Sequence, residues 1–434
     1  MANNQNTNSI SDDYLMGLFN GVALVIDDCI DKKNNNEEKD DKIRRILEQL
    51  CELHIPYVTE ATLPHKKKRK HYTGISFVIL DWNLQTLDID EDVSSPEFLT
   101  ANMENENISF IKDIQSQCYC PIFIFTNEEP EDIANKLRND GIQCDNKSNV
   151  FIKQKDKLTG NNSVYQAIVE WIKSNPSMYV LKEWEREYLR AKSLLFNEFQ
   201  NFCPNWPTIF WNTFQADGEN ESLGLREIIS SNLYSRMNPF SFAEVIIKGC
   251  DSDANDSEIN NEEIQNILEA ERFITKLDEG DIGTGDLFFD DSEPEKPPYR
   301  LNIRPQCDIT RCKNPELYCL RGRIGTDSDL EGYQGQYVET PANAIVPFLH
   351  NGKIIVFPFR KLEIIKWNTI KNKRVGRLLP PYITKIQQRY ALYLQRQGLP
   401  RIPDPLLPPQ QNTSDNLSFQ DTSDNTTSQD TSEC

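Results

Sequence analysis

Gly74-Ile-Ser-Phe-Val-Ile-Leu-Asp81-Trp-Asn83 is an apolar, β-branched run that stops on a carboxylate. A run this short and this apolar reads as a strand buried on both faces. In open parallel sheets, ligands and chemistry collect beyond the carboxyl ends of such strands. Asp81 stands at that end, so the flanking sequence is read for other strands that deliver groups to the same edge.

Gly21-Val-Ala-Leu-Val-Ile26 is a second such run and ends in Asp27-Asp28. Pro121-Ile-Phe-Ile-Phe125 ends in Thr126-Asn127, Val150-Phe-Ile152 ends in Lys153, and Pro56-Tyr57-Val58-Thr59 supplies a fifth strand. Helical spacing lies between them: Ile43, Ile46, Leu50 and Leu53 share one stripe, and Ile108–Gln117, Pro130–Asn139 and Val164–Lys173 read as helices. Strand–helix alternation of this kind predicts an α/β fold with a five-stranded doubly wound parallel sheet. The Lys66–His71 run reads as a solvated loop, and Gln85–Asn107 as a long acidic insertion.

Beyond the sheet, Met178–Phe199 carries Leu181, Trp184, Tyr188, Ala191, Leu195 and Phe199 at spacings of three and four. It reads as a core-facing helix, or as a signalling or dimerisation helix that would make the chain a homo-oligomer. Phe202–Phe242 completes a small helical module, and Glu263–Leu277 reads as a helix. From Gly283 to Phe359 short strands alternate with turn signals. Asn351-Gly352, between two apolar runs, predicts a type I′ hairpin in an antiparallel, barrel-like β-rich domain. Pro380–Gln397 reads as a terminal helix stopped by Gly398. The expected divisions are 1–20, an N-terminal tail and helix; 21–176, the α/β domain; 177–249, the helical module; 250–280, an acidic linker plus helix; 281–400, the β-rich domain with its basic helix; and 401–434, a disordered tail.

Composition bounds the function. The chain has 434 residues, 38% hydrophobic and 26% charged, with a formal net charge of −20. That balance argues against a general nucleic-acid coat, which depends on phosphate neutralisation. No apolar run reaches the length of a membrane span and no basic-then-apolar leader precedes the first strand, so a cytoplasmic location is expected. Eleven scattered cysteines in such a chain read as reduced thiols.

The strand ends bring together Asp27, Asp28, Asp81, Thr126 and Lys153. Three carboxylates make a hard-oxygen site suited to Mg²⁺. A lysine and a hydroxyl beside it can hold phosphoryl oxygens, and Asp81, alone on its strand end, is the natural nucleophile. This order of residues resembles the receiver domain of two-component response regulators over about Gly21–Ser174. The resemblance implies a flavodoxin-like fold and an Asp81 that accepts phosphate from a histidine kinase. It also implies Asp27 and Asp28 as the metal-binding pair, Asn83 lending a backbone carbonyl to the metal, Thr126 as the switch hydroxyl and Lys153 as the phosphate-contacting lysine. Departures from the family pattern are Gln154 where proline usually follows the lysine, Val150 at the aromatic switch position, and Asn127 in place of a small residue.

Trp184, Trp206 and Trp211, the Arg304-Pro-Gln-Cys307-Asp308 segment and Arg377–Tyr390 are similar to a divergent class of receiver-bearing proteins in bacterial defence operons of the Detocs type. That similarity implies a phosphorelay in anti-phage defence with a kinase and a separate effector as partners. No helix-turn-helix output is apparent. The alternative expectation is a non-catalytic scaffold whose receiver is a docking surface.

Arg360–Arg401 holds eleven Lys or Arg and a single Glu363, interleaved with Tyr382, Tyr390 and Tyr393. Such a stripe suits an intramolecular or partner contact, a solvated face, or nucleic acid, in that order. Cys307, Cys312 and Cys319 lack zinc spacing. Gly280, Gly283 and Gly285 lie among acids and read as a turn rather than a phosphate loop.

Overall fold

The computed structural model describes residues 10–30, 37–84, 96–145, 147–158, 163–248, 260–292, 297–310, 312, 314–330 and 342–396. The remaining segments of the acidic insertion and linker, the Gly398 stop and the expected tail 401–434 lie outside the described residues. The chain divides into two compact units, Met1–Ile264 with Thr310–Lys313 and Gln265–Ile309 with Asn314–Cys434.

The first unit runs α1 (Asp12–Met16), β1 (Val22–Ile26), α2 (Glu37–Glu52), β2 (Tyr57–Glu60), α3 (Lys66–Arg69), β3 (Ile75–Asp81), α4 (Pro96–Gln117), β4 (Ile122–Thr126), α5 (Pro130–Asn139), β5 (Val150–Gln154) and α6 (Ser163–Lys173). The five strands are parallel in the order β2-β1-β3-β4-β5, the flavodoxin-like winding. Side-chain alternation along the strands builds two cores. Ala23, Val25, Phe77, Ile79, Phe123 and Phe125 pack with α1, α2 and α6 on one face. Leu24, Ile26, Val78, Leu80, Ile122 and Ile124 pack with α4 and α5 on the other.

Three expectations change in this unit. Lys66–His71 is not a solvated loop: α3 buries Arg69, whose guanidinium donates to Asp113 at 2.8 Å, to Glu106 at 3.1 Å and to the Pro64 carbonyl at 2.8 Å. A charged side chain enters a core when its donors all find acceptors, which composition alone does not reveal. The helix expected from Ile108 already begins at Pro96, within the acidic insertion.

The third change concerns α7 (Pro176–Phe202), which is buried through Met178, Tyr179, Lys182, Glu183, Ala191 and Leu195. Trp184, from the expected stripe, is exposed instead. Asn175 caps this helix through Met178 N, and its amide donates to the Ser148 carbonyl beside β5. Lys182 donates to the Ser76 carbonyl of β3 at 2.7 Å and to Glu185 at 2.8 Å. α8 (Trp206–Ala216), α9 (Glu221–Arg236) and α10 (Glu244–Lys248) complete the helical module.

The second unit contains most of α11 (Asn261–Arg272), then β6 (Phe273–Ile274), β7 (Asp286–Phe289), β8 (Tyr299–Asn302), most of α12 (Gln306–Thr310), β9 (Glu316–Ile324), α13 (Asp327–Leu330), β10 (Asn343–Leu349), β11 (Lys353–Pro358), β12 (Leu362–Lys366), α14 (Trp367–Ile370), β13 (Arg374–Leu378) and α15 (Tyr382–Gln395). α11 therefore stops five residues short of the expected helix end at Leu277, because Phe273 and Ile274 pair with β13. The sheet is antiparallel in the order β10-β11-β9-β8-β7-β13-β6, with β12 also paired to β9. α15 lays Ile383 and Ile386 on one face beside Leu301, Leu320 and Phe357, and Trp367 and Ile370 cover Phe288 and Cys319 on the other. The β10–β11 connection falls at Asn351-Gly352 but is one residue longer than a two-residue type I′ hairpin: Leu349 pairs with Lys353, and His350, Asn351 and Gly352 all have positive φ.

Candidate functional site

The site is built at the carboxyl edge of the parallel sheet. β1 delivers Asp27 and Asp28, β3 delivers Asp81, and β4 delivers Thr126; all four are buried. Period-two alternation places Asp81 on the same face as Phe77 and Ile79, and Asp27 on the same face as Ala23 and Val25. The two carboxylates therefore converge, each with its Oδ2 2.8 Å from the Lys155 ammonium.

The lysine at this edge is Lys155, not the expected Lys153. The apolar run ends at Ile152, but strand pairing continues: Lys153 sits opposite Phe125 and Gln154 opposite Thr126. Lys153 is thus inside the ladder, with its ammonium 3.7 Å from Glu170 of α6. Lys155 follows the true strand end, in a single 3₁₀ turn over Lys155–Lys157. Both lysines have the same parity, so where pairing stops decides between them. The residue after the edge lysine becomes Asp156, and the position three before it becomes Ile152.

Burial pushes the Asp81 carboxyl above its ordinary range, with Lys155 opposing that rise and Asp27 adding to it. Burial would lower the Lys155 ammonium, but Asp81 and Asp27 lift it above the usual lysine value. Lys155 is therefore a fixed cation between two carboxylates.

The surrounding groups hold the edge in shape. Asn83 N donates to Asp81 Oδ1 at 3.3 Å, and Cys29 N donates to Asp27 Oδ1 at 2.9 Å. Thr126 Oγ1 accepts from Glu128 N at 3.0 Å. Asn127 Oδ1 accepts from Lys42 of α2 at 3.3 Å, and Lys42 also pairs with Asp156. Gln154 Nε2 donates to Glu129. Asn107 of α4, almost wholly buried, donates to the Trp82 carbonyl at 2.7 Å and so fixes the chain just after the Asp81 strand. Sequence reading missed Lys155 and Asn107. The two-residue period that carries Lys153 to Lys155 was the available signal for the first; the second had none.

Asp27 and Asp28 suit a hard divalent cation by donor type, whereas Asp81 meets Asp27 through Lys155 and is not in the group whose ligand atoms lie within 4.8 Å. Asp27 and Asp81 both rest on the Lys155 ammonium, so two buried carboxylates share one cation at this edge. Asp27, Asp28 and Cys29 are, among the described residues, the group of three His, Cys, Asp or Glu whose ligand atoms all lie within 4.8 Å. The carboxylates suit Mg²⁺ and the thiol does not. Cys307 and Cys312 are exposed and Cys319 is buried in the antiparallel sheet, and no zinc-like group joins them among the described residues. No helix among the described residues is long and apolar enough to cross a membrane.

No family model matches the chain, and no curated protein matches it. Among solved structures, it is similar to the receiver domain of NtrC4 from Aquifex aeolicus at 17% identity, over 35% of this chain and 97% of that one, with a TM-score of 0.21. It is also similar to the phosphorylated cyanobacterial phytochrome response regulator RcpA at 14% identity, over 36% of this chain and 95% of that one, with a TM-score of 0.22. The similarity covers about a third of the chain.

Proposed function

We propose that this chain is a response-regulator-like phosphoacceptor in a cytoplasmic two-component-type pathway, with Asp81 as the acceptor. The observation that supports it above all others is the buried Asp27–Lys155–Asp81 arrangement at the carboxyl edge of a β2-β1-β3-β4-β5 sheet. In the reaction, an Asp81 carboxylate oxygen forms an O–P bond as the P–N bond of a partner kinase's phosphohistidine breaks. Asp27, Asp28, Asp81 and the Asn83 backbone carbonyl would hold Mg²⁺, which supplies the charge neutralisation that lets a carboxylate meet a phosphate. Lys155 shifts its charge onto a phosphoryl oxygen, and the Thr126 hydroxyl donates to another. The new charge then biases the contacts of the helical module or of a separate effector. Within this reading, the pathway serves anti-phage defence, and slow hydrolysis of the acyl phosphate resets the site.

The test is incubation of the full chain with Mg²⁺ and a phosphodonor. One acid-labile phosphate per chain is expected, and none in Asp81→Asn. Undiminished labelling of that variant would falsify the assignment. A melting temperature unmoved by Mg²⁺ with beryllofluoride would favour a scaffold role.

A further inference from the structure

The second unit holds a cavity of about 540 Å³ lined by Arg323, Arg360, Lys361, Arg396, Tyr393 and Val356, among others. It lies where β9, the turn after β11 and the end of α15 meet. Four cations gather here although the chain carries a formal net charge of −20. Arg323 is oriented by a two-pronged pairing with Asp329, at 2.8 and 3.0 Å. Arg360, Lys361 and Arg396 form no ion pair among the described residues. Arg360 and Lys361 stand side by side on a turn closed by Lys361 N donating to the Pro358 carbonyl at 3.0 Å. The Arg396 guanidinium lies 4.0 Å from the centroid of the Tyr393 ring, which is itself edged by Phe359. Val356 and Pro358 complete an apolar wall.

Cations that line one concavity without ion-pair partners repel one another, and an anion bound among them relieves that repulsion. Guanidinium groups pair with phosphate oxygens in a planar fork, and the arginine–tyrosine stack offers a flat surface to a ring. The volume falls in the range of small-ligand sites, roughly 300–1,000 Å³. We propose that this cavity binds a nucleotide, with its phosphates on Arg360 and Lys361 and its base against the Arg396–Tyr393 stack and Pro358. The site is separate from the Asp81 edge and does not depend on its chemistry.

Calorimetric titration of the full chain with ADP, with pyrophosphate as the base-free probe and adenosine as the phosphate-free probe, tests the assignment. ADP is expected to bind with one site per chain, to be weakened by salt, and to bind at least about tenfold more tightly than either fragment. Arg360→Glu with Lys361→Glu, both on an exposed turn, should weaken ADP at least about tenfold. Tyr393→Leu should remove the advantage of ADP over pyrophosphate. No heat with ADP, or an ADP affinity unchanged in the double variant, overturns the site. Pyrophosphate binding as tightly as ADP overturns the nucleotide.

Discussion

Lys155 Nζ donates to Asp81 Oδ2 at 2.8 Å across the carboxyl edge of the sheet, and both side chains are more than nine-tenths buried. The same ammonium reaches Asp27, so removing it strands two buried carboxylates. Lys155→Ala should cost about 3–5 kcal/mol in urea unfolding without added divalent cation, and should abolish phosphate labelling. Lys153→Ala loses only a 3.7 Å pair with an exposed Glu170. It should change stability by less than about 1 kcal/mol and leave labelling intact.

Arg69 is a second buried cation. It stacks over Phe110 and pairs with two partly exposed carboxylates, Asp113 and Glu106. Arg69→Ala should destabilise the first unit by about 2–4 kcal/mol, whereas Lys66→Ala and Lys67→Ala, on the exposed side of the same turn, should stay within about 0.5 kcal/mol. Equal effects at the three positions in chemical denaturation would contradict this placement.

Lys182 ties α7 to β3 through the Ser76 carbonyl and lies 5.7 Å from the Phe19 ring. Lys182→Ala should cost about 2–3 kcal/mol, since it empties a packed site and leaves a carbonyl without its donor. Lys182→Met keeps the stem and should recover about 1 kcal/mol of that loss. Hydrogen exchange at α7 amides, compared with amides of β3, measures how much of the change is local.

His350 sits in the β10–β11 turn with Nδ1 3.1 Å from Tyr299 Oη. Burial, then Lys353, lowers its pKa below the ordinary histidine value, while Glu269 pulls the other way. A group whose folded pKa is depressed contributes stability above its unfolded pKa, about 6.5, and loses that contribution as pH falls through the folded value. Melting of the second unit should therefore fall as pH drops from 7.5 to 5, with a shallower fall in His350→Gln. An identical slope in the variant would exclude His350 as the source.

Much of this was legible in the chain. The β1, β3 and β4 runs are apolar apart from Ser76 and end in Asp27, Asp81 and Thr126, because a central parallel strand must be buried on both faces. β5 is an edge strand, so its last two residues can be polar and still pair, and the change in polarity misplaced its end by two residues. The buried cations Arg69 and Lys182 were invisible for a related reason. Periodicity counts apolar residues, and these positions are filled by charges whose partners lie 44 residues from Arg69 at Asp113 and 106 residues from Lys182 at Ser76. In the second unit, Asn351-Gly352 declared its turn through local conformational preference. The order of the antiparallel strands depends on long-range pairing that no local pattern records.

The 27-residue helix α7 is capped by Asn175, whose buried side chain is bonded to the loop that enters β5. At 1.5 Å per residue it extends roughly 40 Å. A tilt of about 5° at its base would carry the far end through roughly 3–4 Å, on the scale of the helix shifts that alter protein contacts. The Asn175 attachment two residues beyond α6 and the Lys182 tie to β3 fix the first turns of α7 to the sheet, so its orientation follows that of the sheet.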